Sequence, residues 1–157
     1  MKYVITGGSG HISGPLTEKL LSAGHQVTLI GRDASKLEKY KAKGAVIAAG
    51  SIEDSRFLQS AFSGADAAYL MIPPNHDVED FRGYQHRAGQ NYIGALKSAG
   101  IRKVVFLSSV GAHMGKGCGP VDGLADFEQL ITKELPGTDV LFLRPSYFYY
   151  NLFQQAG

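Results

Sequence analysis

Six short apolar runs alternate along the chain with longer segments that mix apolar and charged residues. The short runs are rich in β-branched and aromatic residues, which is typical of strands, whereas the mixed segments carry helix-favouring residues and most of them end at glycine or proline. The predicted strands comprise residues 3–5, 26–30, 45–49, 65–72, 103–107 and 139–143. The predicted helices comprise residues 16–21 with a start near residue 13, then 34–43, 53–62, 78–99 and 124–135.

This regular alternation predicts an α/β fold with a doubly wound, mostly parallel sheet and helices on both faces. Residues 65–72 are nearly all apolar, as expected for a strand that is buried on both sides. Because crossovers between parallel strands are right-handed, the loops that follow the strands should lie along one edge of the sheet. A ligand would bind at this carboxyl edge, where the order of the strands reverses.

A glycine-rich stretch, TGGSGHISG at residues 6–14, links the first predicted strand to the first predicted helix. Glycines allow a dinucleotide pyrophosphate to approach the backbone closely and to meet the N–H groups of a helix N-terminus. The stretch therefore predicts a site for two phosphates, and a glycine turn that binds nothing is the alternative. The third small residue of the usual pattern is Ser13, with Gly14 one place later. Pro15 is tolerated only in a first helical turn, so the helix should begin near Ser13.

The turn after the second predicted strand bears on the choice of dinucleotide, because in such sheets it meets the adenosine ribose. This strand ends in Gly31-Arg32, and Asp33 follows. A guanidinium binds a phosphate through two hydrogen bonds, so Arg32 favours NADP over NAD. In the alternative interpretation Arg32 is a solvated turn residue and Asp33 contacts the ribose.

The composition is that of an ordinary globular domain, with 157 residues, 44% hydrophobic and 19% charged. The net charge is only +2, and the basic residues are scattered, which favours neither a nucleic acid nor an anionic membrane as partner. No signal peptide or apolar run of membrane-spanning length is evident, so the predicted location is the cytoplasm. Cys118 is the only cysteine, and the five histidines lack metal-ligand spacing, so no metal site is predicted.

Several motifs together resemble the NmrA-like NAD(P)-binding family of atypical short-chain dehydrogenase/reductases. They are YVITGGSG at 3–10, GRD at 31–33, GADAAYL at 64–70, KVVFLSS at 103–109 and LRP at 143–145. The likeness covers nearly the whole chain, with the motifs in the family's order and spacing. It implies a Rossmann domain over residues 1–157 that binds NADP(H), with NAD(H) as the alternative.

The resemblance also implies which residues surround the dinucleotide. The pyrophosphate would be lined by Gly7, Ser9, Gly10, His11 and Ile12, and Arg32 would face the adenosine phosphate. Near the adenine, the ribose and the nicotinamide, the implied residues are Ser51, Ile52, Met71, Ile72, Pro73 and Ser108.

The catalytic pair of the wider superfamily, a tyrosine four residues before a lysine, is absent after Ser109. Tyr92 precedes Lys97 by five residues and lies in the preceding predicted helix, so it does not match. The candidates that remain for polarising an acceptor or supplying a proton are Ser109, His113 and Tyr149. For each of them, capping or packing is the alternative role.

These features predict a reductase that passes a hydride from NADPH to a small acceptor such as a quinone or carbonyl compound. The alternative is a dinucleotide-binding sensor that regulates a partner protein. Members of the family that the chain resembles usually continue after the Arg-Pro turn into a smaller segment that closes the substrate pocket, so we expect either that such a segment follows these 157 residues or that the chain is a short form. The aromatic run at 147–153 would then be partly uncovered, which indicates a missing segment or a partner subunit, as in a homodimer.

Overall fold

The computed structural model describes residues 1–75 and 77–150, and within them six parallel strands form one sheet. The strands are β1 (Lys2–Ile5), β2 (Gln26–Gly31), β3 (Val46–Ala49), β4 (Ala67–Leu70), β5 (Lys103–Leu107) and β6 (Asp139–Leu143). Their order is β3-β2-β1-β4-β5-β6, so the direction of winding reverses between β1 and β4. This order confirms the predicted doubly wound fold and places the carboxyl ends of β1 and β4 side by side.

The helices cover the sheet from two sides. They are α1 (Ser13–Ser22), α2 (Glu38–Lys41), α3 (Ser55–Phe62), α4 (Phe81–Ala99) and α5 (Asp122–Glu134). One apolar core packs α3, α4 and α5 on the sheet, with Phe62, Tyr92 and Phe127 among its fully buried side chains. A second, smaller core lies under α1 and α2 on the opposite face. Among the described helices, none combines the length and apolar character that spanning a membrane requires.

Three predicted helices begin later or run shorter than their sequence pattern indicates, and side-chain capping explains two of them. Asp80 accepts a hydrogen bond of 2.8 Å from the amide of Gly83, so α4 starts at Phe81 rather than at 78. Asp54 likewise accepts from the amide of Phe57 at 3.0 Å and starts α3 at Ser55. The segment 34–43 forms a 3₁₀ turn over Ser35–Leu37 before the single turn of α2.

The face of the sheet that carries α1 is covered only in part. Beyond α1, the strands β4, β5 and β6 form the floor of a cavity of about 930 Å³. Leu141 on β6 is 57% exposed there. Parallel sheets are normally covered on both faces, whereas this apolar floor is partly open to solvent.

Candidate functional site

The glycine loop between β1 and α1 closes a tight turn at the carboxyl edge of the sheet. The amide of Gly10 donates a 2.8 Å hydrogen bond to the carbonyl of Gly7, and the amide of Gly8 donates one of 2.8 Å to Ile30 on the neighbouring strand. Gly7 has a φ of +72°, and a Cβ there would lie 2.6 Å from the sulfur of Met71. The loop therefore needs glycine at position 7 for its backbone conformation, and a Cβ there would also force the side chain of Met71 to move.

Ser13 and Gly14 share the role of the displaced third glycine. The buried hydroxyl of Ser13 donates a 2.8 Å hydrogen bond to the carbonyl of Thr6, which ties the start of α1 to the end of β1. At Gly14, a Cβ would lie 2.1 Å from the hydroxyl oxygen of Tyr40. Ser13 therefore holds α1 against the end of β1, and Gly14, one place later than in the usual pattern, allows the close approach of Tyr40 from α2.

The two residues that precede α1 present free amides beside the loop. The amides of His11 and Ile12 make no hydrogen bond to any described residue, whereas the amide of Gly14 begins the helical series by donating to Gly10. Unpaired amides at the positive end of a ten-residue helix form a binding site for an anion. A dinucleotide pyrophosphate fits this arrangement, because the loop leaves no Cβ at Gly10 and none at Gly7 to block its approach.

A cavity of about 280 Å³ extends from the glycine loop along the ends of β2, β3 and β4. Of the residues expected around the dinucleotide, the structure places in its wall Gly7, Ser9, Gly10, Arg32, Ser51, Ile52, Met71 and Pro73. Ile72 instead points into the main core. The sequence interpretation missed Glu53, Asn75 and Tyr84, which also line the cavity.

The two candidates for the ribose contact, Arg32 and Asp33, are separated by the local turn. Arg32 is exposed and lines the cavity, and Asp33 is absent from its lining. The carboxylate of Asp33 instead accepts hydrogen bonds from the hydroxyl of Ser35, at 2.6 Å, and from its amide, at 2.9 Å. These bonds lower the pKa of Asp33. Asp33 is therefore engaged in capping the turn, and the charged group left to face the cavity from this turn is a guanidinium.

Side chains of α4 fix the two loops that form the far wall of this cavity. Tyr92 donates a 2.7 Å hydrogen bond to the carbonyl of Met71, and Tyr84 donates one of 3.1 Å to Pro73. Asn91 donates a 3.0 Å hydrogen bond to the carbonyl of Ile52. Burial raises the pKa of Tyr92, so its hydroxyl remains a donor. Hydrogen bonds from one helix thus hold both loops of this wall.

Tyr92 and Lys97 do not form the superfamily's catalytic pair. Tyr92 is fully buried with its hydroxyl on Met71, and Lys97 forms an ion pair of 2.8 Å with Glu134. The two side chains are therefore engaged with different partners.

A second cavity of about 410 Å³ lies on the other side of Met71, against the first turn of α1, and we call it the aromatic pocket. Its walls comprise Gly10, His11, Ile12, Ser13, Tyr69, Met71, Leu107, Phe148, Tyr149 and Tyr150. The rings of His11 and Tyr150 lie 3.8 Å apart between centroids. Met71 lines both this pocket and the 280 Å³ cavity, so the two spaces are neighbours along the carboxyl edge. Residues 151–153 of the predicted aromatic run lie outside the described residues.

The three predicted catalytic residues are not gathered in one place. Tyr149 lines the aromatic pocket and is 84% exposed. His113 lines a separate cavity against α5. Ser109 lines neither that cavity nor the aromatic pocket. Within residues 1–75 and 77–150, no group of three or more histidine, cysteine or acidic side chains is arranged to hold a metal ion.

Ser108, expected beside the nicotinamide, is turned toward α5. Its buried hydroxyl donates a 2.5 Å hydrogen bond to Glu128, and the same carboxylate accepts two hydrogen bonds from Arg144. The amide of Ser108 also donates to the carbonyl of Leu143 at 2.8 Å. Glu128 therefore ties together the carboxyl ends of β5 and β6, a role that its position in a helical pattern does not reveal.

Comparison with known proteins gives three informative relatives. The chain is 28% identical over 153 residues to an NAD(P)H azoreductase from Xenophilus azovorans, a match that covers 98% of this chain and 50% of the relative. It resembles, with a TM-score of 0.80 and 22% identity, an NADPH-dependent quinone oxidoreductase from Escherichia coli complexed with NADPH, covering 98% of this chain and 52% of that one. With a triphenylmethane reductase from Citrobacter complexed with NADP(H), the TM-score is 0.79, the identity 18% and the coverage 100% and 56%.

The chain spans about half the length of each of these relatives, and the two solved structures establish the shared fold. A family model described as NAD(P)H-binding matches residues 7–142, from the glycine loop to β6. The match confirms the predicted resemblance to an NAD(P)-binding family, while the narrower NmrA-like assignment stays a prediction. Because this family model matches most of the 157 residues, including the glycine loop from Gly7 onward and Arg32, the chain belongs to this NAD(P)H-binding family.

Proposed function

We propose that the chain binds NADPH along the carboxyl edge of its sheet and directs the hydride to a small, planar acceptor such as a quinone. The observation that carries this proposal is that the glycine loop and Arg32 line the same cavity. Free helix amides suit the pyrophosphate, and a guanidinium suits a phosphate on the adenosine ribose. The chain's membership of an NAD(P)H-binding family supports the same cofactor.

In this proposal, the residues along the carboxyl edge of the sheet have separate functions. The amides of His11 and Ile12 hold the pyrophosphate oxygens, and Arg32 pairs with the adenosine phosphate. The α4 tyrosines keep the loop at Met71 and Pro73 in place, so the nicotinamide end is directed past Met71 toward the aromatic pocket. NADPH supplies the hydride when it is bound, and the chain supplies orientation and shelter from water.

The acceptor belongs, in this proposal, to the aromatic pocket. Its walls are mainly apolar and aromatic, which favours a conjugated ring over a charged metabolite. By name the relatives are an azoreductase, a quinone oxidoreductase and a triphenylmethane reductase, and we extend this acceptor class to the present chain. Tyr149 is the proton donor that we propose, because it lines this pocket. Ser109 and His113 are outside the pocket wall, so we assign them no step.

The test is to measure NADPH and NADH binding by titration calorimetry, and then NADPH consumption with a panel of quinones and azo compounds. We expect tighter binding of NADPH than of NADH, and turnover only when an acceptor is present. Binding of NADPH without turnover of any acceptor would contradict the reductase assignment and favour a dinucleotide sensor. Failure to bind either dinucleotide would overturn the whole proposal.

A further inference from the structure

Tyr69, on β4, carries a buried hydroxyl that the fold does not use. The residue is only 6% exposed, and among the described residues its phenol oxygen has no hydrogen-bond partner. Tyr84 and Tyr92, in contrast, both donate to backbone carbonyls. A buried hydroxyl without a partner lowers stability, and phenylalanine would fill the same space without that cost. The hydroxyl of Tyr69 therefore calls for a partner that comes from outside the described fold.

The position of Tyr69 indicates where that partner binds. Tyr69 lines the aromatic pocket, together with the first turn of α1 and residues 148–150, and it also lines the 930 Å³ cavity on the same face of the sheet. The polar groups of this wall are few, and the remainder is apolar or aromatic. Burial raises the pKa of Tyr69 to about 12, so the phenol keeps its proton and acts as a donor at neutral pH.

We infer that the aromatic pocket binds a planar aromatic ligand through its ring, and that the hydroxyl of Tyr69 donates a hydrogen bond to an oxygen of that ligand. A quinone has this chemistry, with a flat apolar ring and carbonyl oxygens that accept hydrogen bonds. The inference rests on the proposed function, since it names the acceptor's binding site and its class. Tyr69 is assigned to acceptor binding and does not take part in proton or hydride transfer.

The experiment compares the wild-type chain with Tyr69→Phe. The probe is duroquinone, whose fully substituted ring cannot add the thiol of Cys118. Its binding is measured by ligand-observed NMR, with and without NADP⁺, and the KM and kcat for duroquinone are measured with NADPH. We expect Tyr69→Phe to weaken duroquinone binding and raise KM about 3- to 10-fold, the effect of one hydrogen bond, with kcat and NADPH affinity unchanged. We also expect its Tm to rise, because the unpaired hydroxyl is gone.

Tyr3→Phe is the matched control. Tyr3 lines the 930 Å³ cavity on the same face but is absent from the wall of the aromatic pocket. Unchanged duroquinone binding in Tyr69→Phe, or equal weakening in Tyr3→Phe, would overturn the inference. A chain that binds duroquinone but no dinucleotide would refute the proposed function and leave the assignment of Tyr69 intact. A chain that reduces other acceptors without binding duroquinone would support the proposed function and refute the assignment of Tyr69.

Discussion

The hydroxyl of Ser13 lies 2.8 Å from the carbonyl oxygen of Thr6 and donates a hydrogen bond to it. Thr6 directly follows β1, and Ser13 is the first residue of α1. The bond therefore closes the glycine loop between two residues that are seven positions apart. Both residues are buried, and water cannot replace either partner. The residue that departs from the usual glycine pattern has thereby acquired a structural role of its own.

Replacing Ser13 with alanine should destabilise the chain, because the carbonyl of Thr6 would lose this buried donor. We expect the free energy of unfolding to fall by about 1–3 kcal/mol in urea denaturation. Ser22→Ala, at the exposed end of the same helix, is the control and should change stability by less than about 0.5 kcal/mol. Equal effects of the two variants would show that the Ser13 bond contributes little.

Gly14 is expected to be the least replaceable residue of the first helical turn. A Cβ at this position would lie 2.1 Å from the hydroxyl oxygen of Tyr40, a side chain that is itself buried. Gly14→Ala should therefore lower the free energy of unfolding by about 1–3 kcal/mol through overpacking. The double variant with Tyr40→Phe should recover part of that loss, because the clashing atom is removed. Strictly additive effects in denaturation experiments would contradict this explanation.

Much of the lining of the 280 Å³ cavity could be predicted from sequence because its signals are local. The glycine loop, Arg32 and the ends of the strands follow from short motifs and from the rule that ligands bind where the strand order reverses. The start of α4 could also have been found, since Asp80 precedes Gly83 by the three residues of an N-cap bond.

The rest depends on contacts between distant parts of the chain. Glu128 appears in sequence as an ordinary helical carboxylate, and only packing brings it onto Ser108 and Arg144. The same packing turns Ser108 away from the edge and separates His113 from Tyr149. That the Tyr69 hydroxyl has no hydrogen-bond partner among the described residues is likewise a property of its surroundings, which no local pattern encodes.

Glu128→Gln should lower Tm, because the amide keeps the bond to Ser108 but leaves Arg144 without its counter-charge. Glu134→Gln is the comparison, since Glu134 pairs with Lys97 on the exposed surface, where such pairs contribute little. We expect a clearly larger decrease in Tm for Glu128→Gln, measured by differential scanning calorimetry. A decrease no larger than that of Glu134→Gln would contradict the role of Glu128 as the link between β5 and β6.

Asp126 should make stability dependent on acid pH. Its carboxylate accepts two hydrogen bonds from Arg82, at 2.7 and 2.8 Å, and these bonds lower its pKa. Because the pKa of Asp126 is lower in the folded chain than in the unfolded chain, its carboxylate stabilises the fold at pH values above the ordinary pKa of aspartate. This stabilisation is lost as the pH falls through the pKa of the folded state. Below about pH 4, the wild type should therefore lose stability more steeply than Asp126→Asn, as measured by urea unfolding across pH. Asp77→Asn, at an exposed residue, is the control and should leave the slope unchanged.

Arg32 should decide the preference between the two dinucleotides. It lines the cavity while Asp33 is engaged with Ser35, so the phosphate on the adenosine ribose would meet a guanidinium and no competing carboxylate from this turn. Arg32→Ala should weaken NADPH binding about 10- to 100-fold, the range of a charge-assisted hydrogen bond, and leave NADH binding nearly unchanged. Titration calorimetry with both dinucleotides measures the ratio directly. Arg56→Ala, on the exposed surface of α3, is the matched control for the loss of one positive charge. If both variants weakened NADPH binding to the same extent, Arg32 would act only through the net charge of the chain. The specificity for NADPH would then have to reside elsewhere in the cavity.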